Sequence, residues 1–384
     1  MDRRRFLTNV GATACSIAAS PLVTPMAFAS GPWDNRLVII LLRGAMDGLD
    51  AVAPMNEPGL AALRPNLPTD DHIPVGRGWG LHPALAPLLP LYQSGEFGAV
   101  HAVSTPYRDR RSHFDGQDIL EIGFTNINGS RTRDGWLNRF LATLPGGSSE
   151  LAYAVGDDHM LILDGEADVA RWSPSAQLRL SGQAERLMDL VSHSDPLFRD
   201  ASTDAMAIAR AVQEDASLLS GKSGAERLAT FTAQRLRGDA RIASFSLGGW
   251  DTHGRQAPGI SRALGRVSDV ILTLKQGLGP EWQRTAVLCV TEFGRTVAEN
   301  GTLGTDHGTG GAMLFAGGAL QGGQVAGRWP GIENLYAGRD LMPTRDVRAH
   351  LAWALRGLYG AERSVLEEVV FPGLNLGRGT AILG

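Results

Sequence analysis

The stretch Arg36–Leu42 reads Arg-Leu-Val-Ile-Ile-Leu-Leu. A short run this apolar, with no polar alternation, is the mark of a strand covered on both faces in a parallel sheet. The chain repeats the theme at Phe97–Val103, Ile242–Leu247, Ala286–Val290 and Ala312–Ala316. Helical patterns lie between these runs. One begins at Leu81 and reaches Leu91. Another is opened by Ser112 and runs to Ile122, with Asp115 three positions on in a variant of the capping box. The clearest places Ile260, Ala263, Leu264, Val267, Ile271 and Leu274 on one face. The last runs from Asp346 to Tyr359, and the middle, from Ala176 to Leu236, is helical in pattern but carries no recognisable chemistry. Strands alternating with helices predict an α/β fold with a mostly parallel central sheet and helices on both faces.

Ligands in such sheets sit beyond the carboxyl ends of the strands. Gly248-Gly249-Trp250-Asp251-Thr252-His253 directly follows one predicted strand, and Thr291-Glu292-Phe293-Gly294-Arg295-Thr296 follows another. A third cluster, Thr305-Asp306-His307-Gly308, instead precedes the strand Ala312–Ala316. Carboxylates and imidazoles gathered this way are what a divalent metal needs. Asp251 and His253 are two apart, so in extended backbone both point to one side and could share an ion; the alternative is a surface turn capped by the aspartate. His307 is a candidate ligand, and Asp306 either ligates or orients an imidazole. Glu292 is a ligand or the ion-pair partner of Arg295 three residues on. Asp47, in the loop Arg43-Gly44-Ala45-Met46-Asp47-Gly48 after the first strand, is a ligand or the shaper of a turn. Such mixed ligands suit Zn²⁺ or Mn²⁺, and Ca²⁺ if carboxylates dominate.

The N-terminus predicts export. Arg3-Arg4-Arg5-Phe6-Leu7 fits the twin-arginine pattern, a weakly apolar segment follows from Val10 to Phe28, and Ala27-Phe28-Ala29 offers a cleavage site before Ser30. A membrane anchor is disfavoured by the Ser, Thr, Gly and Pro in that segment, so no stable membrane span is expected after cleavage. The expected partner is the twin-arginine translocase, and the expected destination is periplasmic or secreted. Residues 30–384 then form one α/β domain of about 355 residues. Cys15 lies in the signal, so Cys289 alone remains and no intramolecular disulfide can form. The formal charge of −4 includes a net +2 from the signal, so the mature chain carries −6 and has no electrostatic reason to hold nucleic acid.

Four segments join the three clusters in a wider likeness: Leu41-Leu42-Arg43-Gly44-Ala45-Met46-Asp47-Gly48-Leu49, Thr105-Pro106-Tyr107-Arg108, Ser112-His113-Phe114-Asp115-Gly116-Gln117-Asp118 and Gly135-Trp136-Leu137-Asn138-Arg139. Together they resemble the exported bacterial family called domain of unknown function 1501, over nearly all of the mature chain. That family is similar in fold to the alkaline phosphatase and sulfatase superfamily. The resemblance implies an order of roles filled here by Asp47 as a metal-binding acid and Ser112 as a nucleophile at a helix start. Asp251 with His253, then Glu292, then His307 follow as further ligands. Two departures stand out. Arg43-Gly44 occupies the strand end where the first acid usually stands, and Glu292-Phe293 replaces an Asp-His pair, which leaves a second full metal site in doubt.

Ser112 would sit at a helix N-terminus, where unpaired amides favour an alkoxide and an anionic ester. Ser104 is the other choice, because Ser104-Thr105-Pro106-Tyr107-Arg108 is similar to the start of a sulfatase pattern; either serine could instead have no chemistry. Arg295 is a candidate catalytic cation. Arg43, Arg108 and Arg111, with Arg110 nearby, are candidates for binding a phosphate or sulfate oxygen pair. His113 either meets the substrate or covers the helix start. The expected function is metal-dependent hydrolysis of a small anionic phosphate or sulfate ester. The rival is a non-catalytic envelope binding protein that keeps the fold.

Overall fold

The computed structural model describes residues 34–108, 111–125, 133–145, 149–174, 219 and 221–383. The twin-arginine motif, Arg110 and most of the helical pattern between Ala176 and Leu236 lie outside the described residues.

Among the described residues twelve strands follow in chain order: β1 (Arg36–Leu42), β2 (Val52–Pro54), β3 (Ile73–Gly76), β4 (Trp79–Leu81), β5 (Phe97–Ser104), β6 (Ala152–Val155), β7 (Ala170–Trp172), β8 (Ile242–Leu247), β9 (Thr285–Val290), β10 (Gly311–Ala316), β11 (Val325–Ala326) and β12 (Arg345–Asp346). The central sheet runs β11-β5-β10-β9-β1-β8-β6-β7, with β12 also paired to β5, while β2, β4 and β3 make a small separate sheet. All central pairings are parallel except those of β10, which runs antiparallel to both β5 and β9. The sheet is therefore mixed and mostly parallel, as the apolar runs predict.

Every residue of β1 is buried, which requires cover on both faces. Val38, Ile40 and Leu42 join one cluster with the helix Gly224–Arg237 (α1) and the helix Gln256–Leu278 (α2), through Phe231, Leu236, Ile260, Leu264, Val267 and Ile271. Leu37, Ile39 and Leu41 are equally buried but stand outside that cluster, on the opposite face. The predicted stripe of α2 is buried at all six positions. The pattern opening at Leu81 is corrected: Leu81 ends β4, a 3-10 turn spans Pro83–Leu88, and only Leu89–Gln93 is α-helical. Pro83 and Pro87 explain the change, because proline cannot supply the amide that a longer α-helix needs. Among the described residues no helix is long and apolar enough to cross a membrane.

β10 also resolves why the third cluster precedes a strand. Because β10 is antiparallel to β9, its N-terminus lies at the edge where β9 ends. β5 ends at that same edge, and so do β1 and β8. Loops from five strands therefore meet on one side of the sheet.

Candidate metal centre

The meeting of these loops is fixed at the backbone. Arg43 N–H donates to Leu247 O at 3.0 Å, and Thr291 Oγ1 donates to Leu42 O at 2.8 Å while accepting from Met46 N–H at 3.1 Å. Gly44 has φ +121°, and a Cβ there would meet Asp251 N at 2.7 Å. Gly304 is equally constrained, since a Cβ would lie 2.4 Å from Thr252 O. Glycine alone lets these loops approach so closely. Ala45, Arg111, Arg255 and Leu303 have φ of 62°, 52°, 47° and 61° around the same edge. Backbone held in this region costs on the order of 1–3 kcal/mol per residue and concentrates where function dictates geometry.

Three imidazoles converge here. His253 Nε2 lies 3.0 Å from Asp251 Oδ1, His307 Nε2 3.2 Å and His113 Nε2 3.3 Å. His253 Nε2 and His307 Nε2 are 2.9 Å apart. Ligand atoms of His113, Asp251 and His307 all fall within 4.8 Å of one another, a group that could hold a metal ion.

What turns each ring this way is the partner of its other nitrogen. His113 Nδ1 lies 2.7 Å from Glu292 Oε1, His253 Nδ1 2.9 Å from Asp306 Oδ1, and His307 Nδ1 2.6 Å from Arg111 O. Carboxylates and carbonyls only accept, so all three Nδ1 atoms carry a proton, and the Nε2 of each ring is the nitrogen left to face Asp251 and, once deprotonated, to offer its lone pair to a cation. Anchoring a ligand imidazole through its far nitrogen is the usual second layer of a metal site. Two atoms each 2.0–2.2 Å from one tetrahedral ion stand about 3.3–3.6 Å apart, so the 3.3 and 3.2 Å separations of His113 and His307 from Asp251 are close to that spacing, while the 3.0 and 2.9 Å separations made by His253 are tighter. His113 Nε2 is buried without a hydrogen-bond partner, a donor atom that a cation would satisfy.

Phe293 backs the group, with its ring centroid 5.2 Å from those of His113 and His307. Arg295 is fully buried and gives one nitrogen to Asp251 Oδ1 at 2.9 Å, another to Thr305 O at 2.6 Å and Nε to Thr305 Oγ1 at 3.2 Å. Burial would raise the pKa of Asp251, but hydrogen bonds from Arg295 and His307, with the charges of His113 and His253, hold it down to about 2. The Glu292 bond raises the pKa of His113 against the effect of burial, whereas burial lowers that of His307. Burial likewise favours a neutral Glu292, but its His113 contact keeps the pKa below the ordinary value.

The candidates named from sequence thus separate. Asp251, His253 and His307 come together, and His113, assigned to substrate, joins them as a donor. Glu292 and Asp306 stand behind the imidazoles rather than among the inward-facing atoms. Arg295 pairs with Asp251, not with Glu292. Asp47 is elsewhere: buried at the start of the short helix Gly48–Ala51, it accepts from Leu49 N–H, pairs with Arg64 at 2.7 Å and accepts from Gln256 Nε2 at 2.7 Å. Its Met-Asp-Gly setting is that of a cap, and the partners that consume both oxygens are distant in sequence.

Ser112 caps the helix His113–Ile122 through a long 3.5 Å bond from Asp115 N–H, and its own N–H donates to Tyr107 Oη at 3.0 Å. Ser104 is buried and bonded to Thr105 O and Arg108. Arg108 also donates to Tyr107 O at 2.7 Å, and Arg43 pairs with Glu121 at 2.8 Å and donates to Gln117 Oε1 at 2.8 Å. Arg111 pairs with the fully buried Asp340 at 2.9 Å, and Arg339 reaches the same carboxylate at 2.9 Å and His307 O at 2.6 Å. Neither Arg339 nor Asp340 carries a sequence signal, because their link to His307 spans a loop without motif.

Several solved structures are similar in fold. One is a protein in the alkaline phosphatase superfamily from Vibrio parahaemolyticus, with TM-score 0.43, 11% identity and coverage of 89% of this chain and 71% of that one. A 2-O GAG sulfatase gives 0.39 and 9%, covering 76% and 66%. An alkaline phosphatase from the Antarctic bacterium TAB5 gives 0.34 and 10%, covering 74% and 91%. No curated protein matches the chain. Residues 92–352, well over half of the sequence, match the family described as Protein of unknown function (DUF1501), and the chain belongs to that family.

Proposed function

We propose that this protein is an exported, metal-dependent hydrolase of phosphate or sulfate esters, built on one divalent cation held by His113, Asp251, His253 and His307. The observation that carries this reading is the approach of three imidazole Nε2 atoms to Asp251 Oδ1, each with its Nδ1 committed to an oxygen. Zinc or manganese suits an imidazole-rich set, and calcium suits it less. When bound, such a cation supplies Lewis acidity, polarising an ester oxygen and acidifying water. The chain's own groups do the rest. Arg295 keeps Asp251 ionised, and Glu292, Asp306 and Arg111 O hold the rings. Arg111 and Arg339, anchored on Asp340 and each partly exposed, offer guanidinium edges to an anion. Ser112, at the helix start beside His113, is the candidate nucleophile, with water as the alternative. The ester class follows from the motif resemblance, and export through the twin-arginine translocase to a periplasmic or secreted destination follows from the N-terminal motif.

One observation favours a second reading. Four protein donors close a tetrahedral ion, as structural sites do, whereas catalytic sites keep a position open. Under that reading the protein is a non-catalytic envelope binder with a structural metal. Asp251 and His253, with side chains 46% and 44% exposed, leave room on the solvent side for a fifth ligand and support the enzyme. Plasma mass spectrometry of tag-free exported protein, followed by hydrolysis of aryl phosphate and aryl sulfate with and without chelator, separates the readings. Stoichiometric metal with chelator-sensitive turnover is expected. Metal whose removal lowers only Tm would select the binder, and failure to take up any of the three metals would overturn both.

A further inference from the structure

We infer that Gln256 is a positioning residue that sets the spacing between the two loops bearing the cation's ligands, residues 251–253 and 305–307; this rests on the cation-site reading above. Gln256 is fully buried at the start of α2. Its Nε2 donates to Asp47 Oδ2 at 2.7 Å and Asp50 Oδ2 at 2.8 Å. Its Oε1 accepts from Thr252 Oγ1 at 2.9 Å and Thr305 Oγ1 at 2.6 Å. Those four bonds exhaust what a primary amide can make, and two carboxylates on one side fix which end is nitrogen. No other side chain of this length donates twice in one direction and accepts twice in the other.

The residues gripped by Oε1 give the arrangement its meaning. Thr252 lies between Asp251 and His253, and Thr305 immediately precedes Asp306 and His307. Thr305 also takes two nitrogens of Arg295, whose third holds Asp251, and its N–H donates to Thr252 O at 3.2 Å. One amide oxygen is therefore the shared anchor of both loops. The short distances at the centre, 2.9 Å between His253 and His307 and 3.2 Å between His307 and Asp251, run from one loop to the other. The gap that Gln256 fixes is the gap a cation must match. On the far side its amide is held by Asp47, itself locked by Arg64, so the scaffold beneath the loops is a buried ionic network.

Cobalt(II) uptake by the full chain tests this, read as the visible ligand-field spectrum and as Kd by chelator competition. Gln256→Met keeps the volume and removes all four bonds. Expected is a Kd weakened roughly 10-fold or more, the range seen when groups behind ligands are removed, with a changed spectrum in protein that is still folded by circular dichroism. Gln256→Glu sets three carboxylates together and should lose cobalt more severely. Adding Asp50→Asn to it restores a donor opposite Glu and should recover most of the affinity, which a purely structural role would not predict. If Gln256→Met does not fold, Thr252→Val, which deletes the 2.9 Å bond to Gln256 Oε1 and leaves the Arg295 bonds in place, should weaken Kd several-fold. Wild-type spectrum and Kd in a folded Gln256→Met, or in Thr252→Val where that replaces it, would overturn this inference alone. Failure of the unaltered protein to take cobalt would overturn the cation site as well.

Discussion

Glu292→Gln distinguishes a carboxylate that binds a cation from one that aims an imidazole. In the structure Oε1 receives His113 Nδ1 at 2.7 Å, Gly44 N–H at 2.9 Å and Gln117 Nε2 at 3.2 Å, and Oε2 lies 3.1 Å from Thr291 Oγ1. A glutamine can keep its oxygen among the three donors and turn its nitrogen to Thr291, whose proton is free to go to Leu42 O. The side chain then stays in place and only its charge is lost. A hydrogen bond to a charged group contributes about 1.5–3 kcal/mol and a neutral one about 0.5–1.5 kcal/mol. The difference, about 1–1.5 kcal/mol, is roughly 10-fold in metal affinity. Competition for zinc against a chromophoric chelator reads it directly, alongside His113→Ala as the variant that deletes a donor atom. A Glu292→Gln protein as impaired as His113→Ala would mean that Glu292 binds the cation itself. An unchanged Kd would mean that the carboxylate does not steer His113, and either result refutes the argument.

Replacing His253 and His307 together by Ala should abolish metal uptake and any ester hydrolysis while leaving the circular dichroism spectrum intact; undiminished turnover would sink the site. The fold should also weaken in mild acid. Burial lowers the pKa of His101 to about 4 and of His350 to about 3, so below pH 6.5 the unfolded chain binds protons that the fold refuses. Stability is then full above pH 6.5 and falls by about 1.4 kcal/mol per pH unit for each histidine as pH drops toward the folded values. Asp50 works in the opposite sense: burial and the charge of Asp47 raise it to about 6, so its contribution is present at low pH and lost as pH rises toward 6. Asp50→Asn should therefore steepen the acid loss, and urea titrations from pH 7 to 4 with no slope would contradict the assignment.

The middle of the sheet was legible because β1, β5, β8, β9 and β10 are short apolar runs, whereas β6, β7, β11 and β12 are brief and partly exposed and carry no such signal; Ser112 and Asp346 mark their helix starts as caps should. The antiparallel direction of β10 was not legible, since an apolar run carries no sign of its direction. The site was half legible. Acid and histidine clusters at strand ends identify which loops meet, but ligand and support differ only in which ring nitrogen faces inward. That choice depends on partners up to 196 residues away, as for His307 and Arg111. Asp47 misleads for the same reason: Arg64 and Gln256 lie 17 and 209 residues from it, and no local pattern announces either. His113 was hidden by its neighbour, because a serine at a helix start invites attention as a nucleophile.

The placement of β1 between β8 and β9 carries a consequence for how the chain is made. Leu37 pairs with Ile242 and Ala286, so the first strand waits for more than 200 further residues before either neighbour exists. At translation rates of about 5–20 residues per second that interval is about 10–40 s. For that time the most apolar segment of the nascent chain has two bare edges and no sheet to enter, the condition in which short β-prone runs associate with one another. Yield on overexpression should therefore respond to chaperones that hold nascent chains more than to any change near the ligand loops.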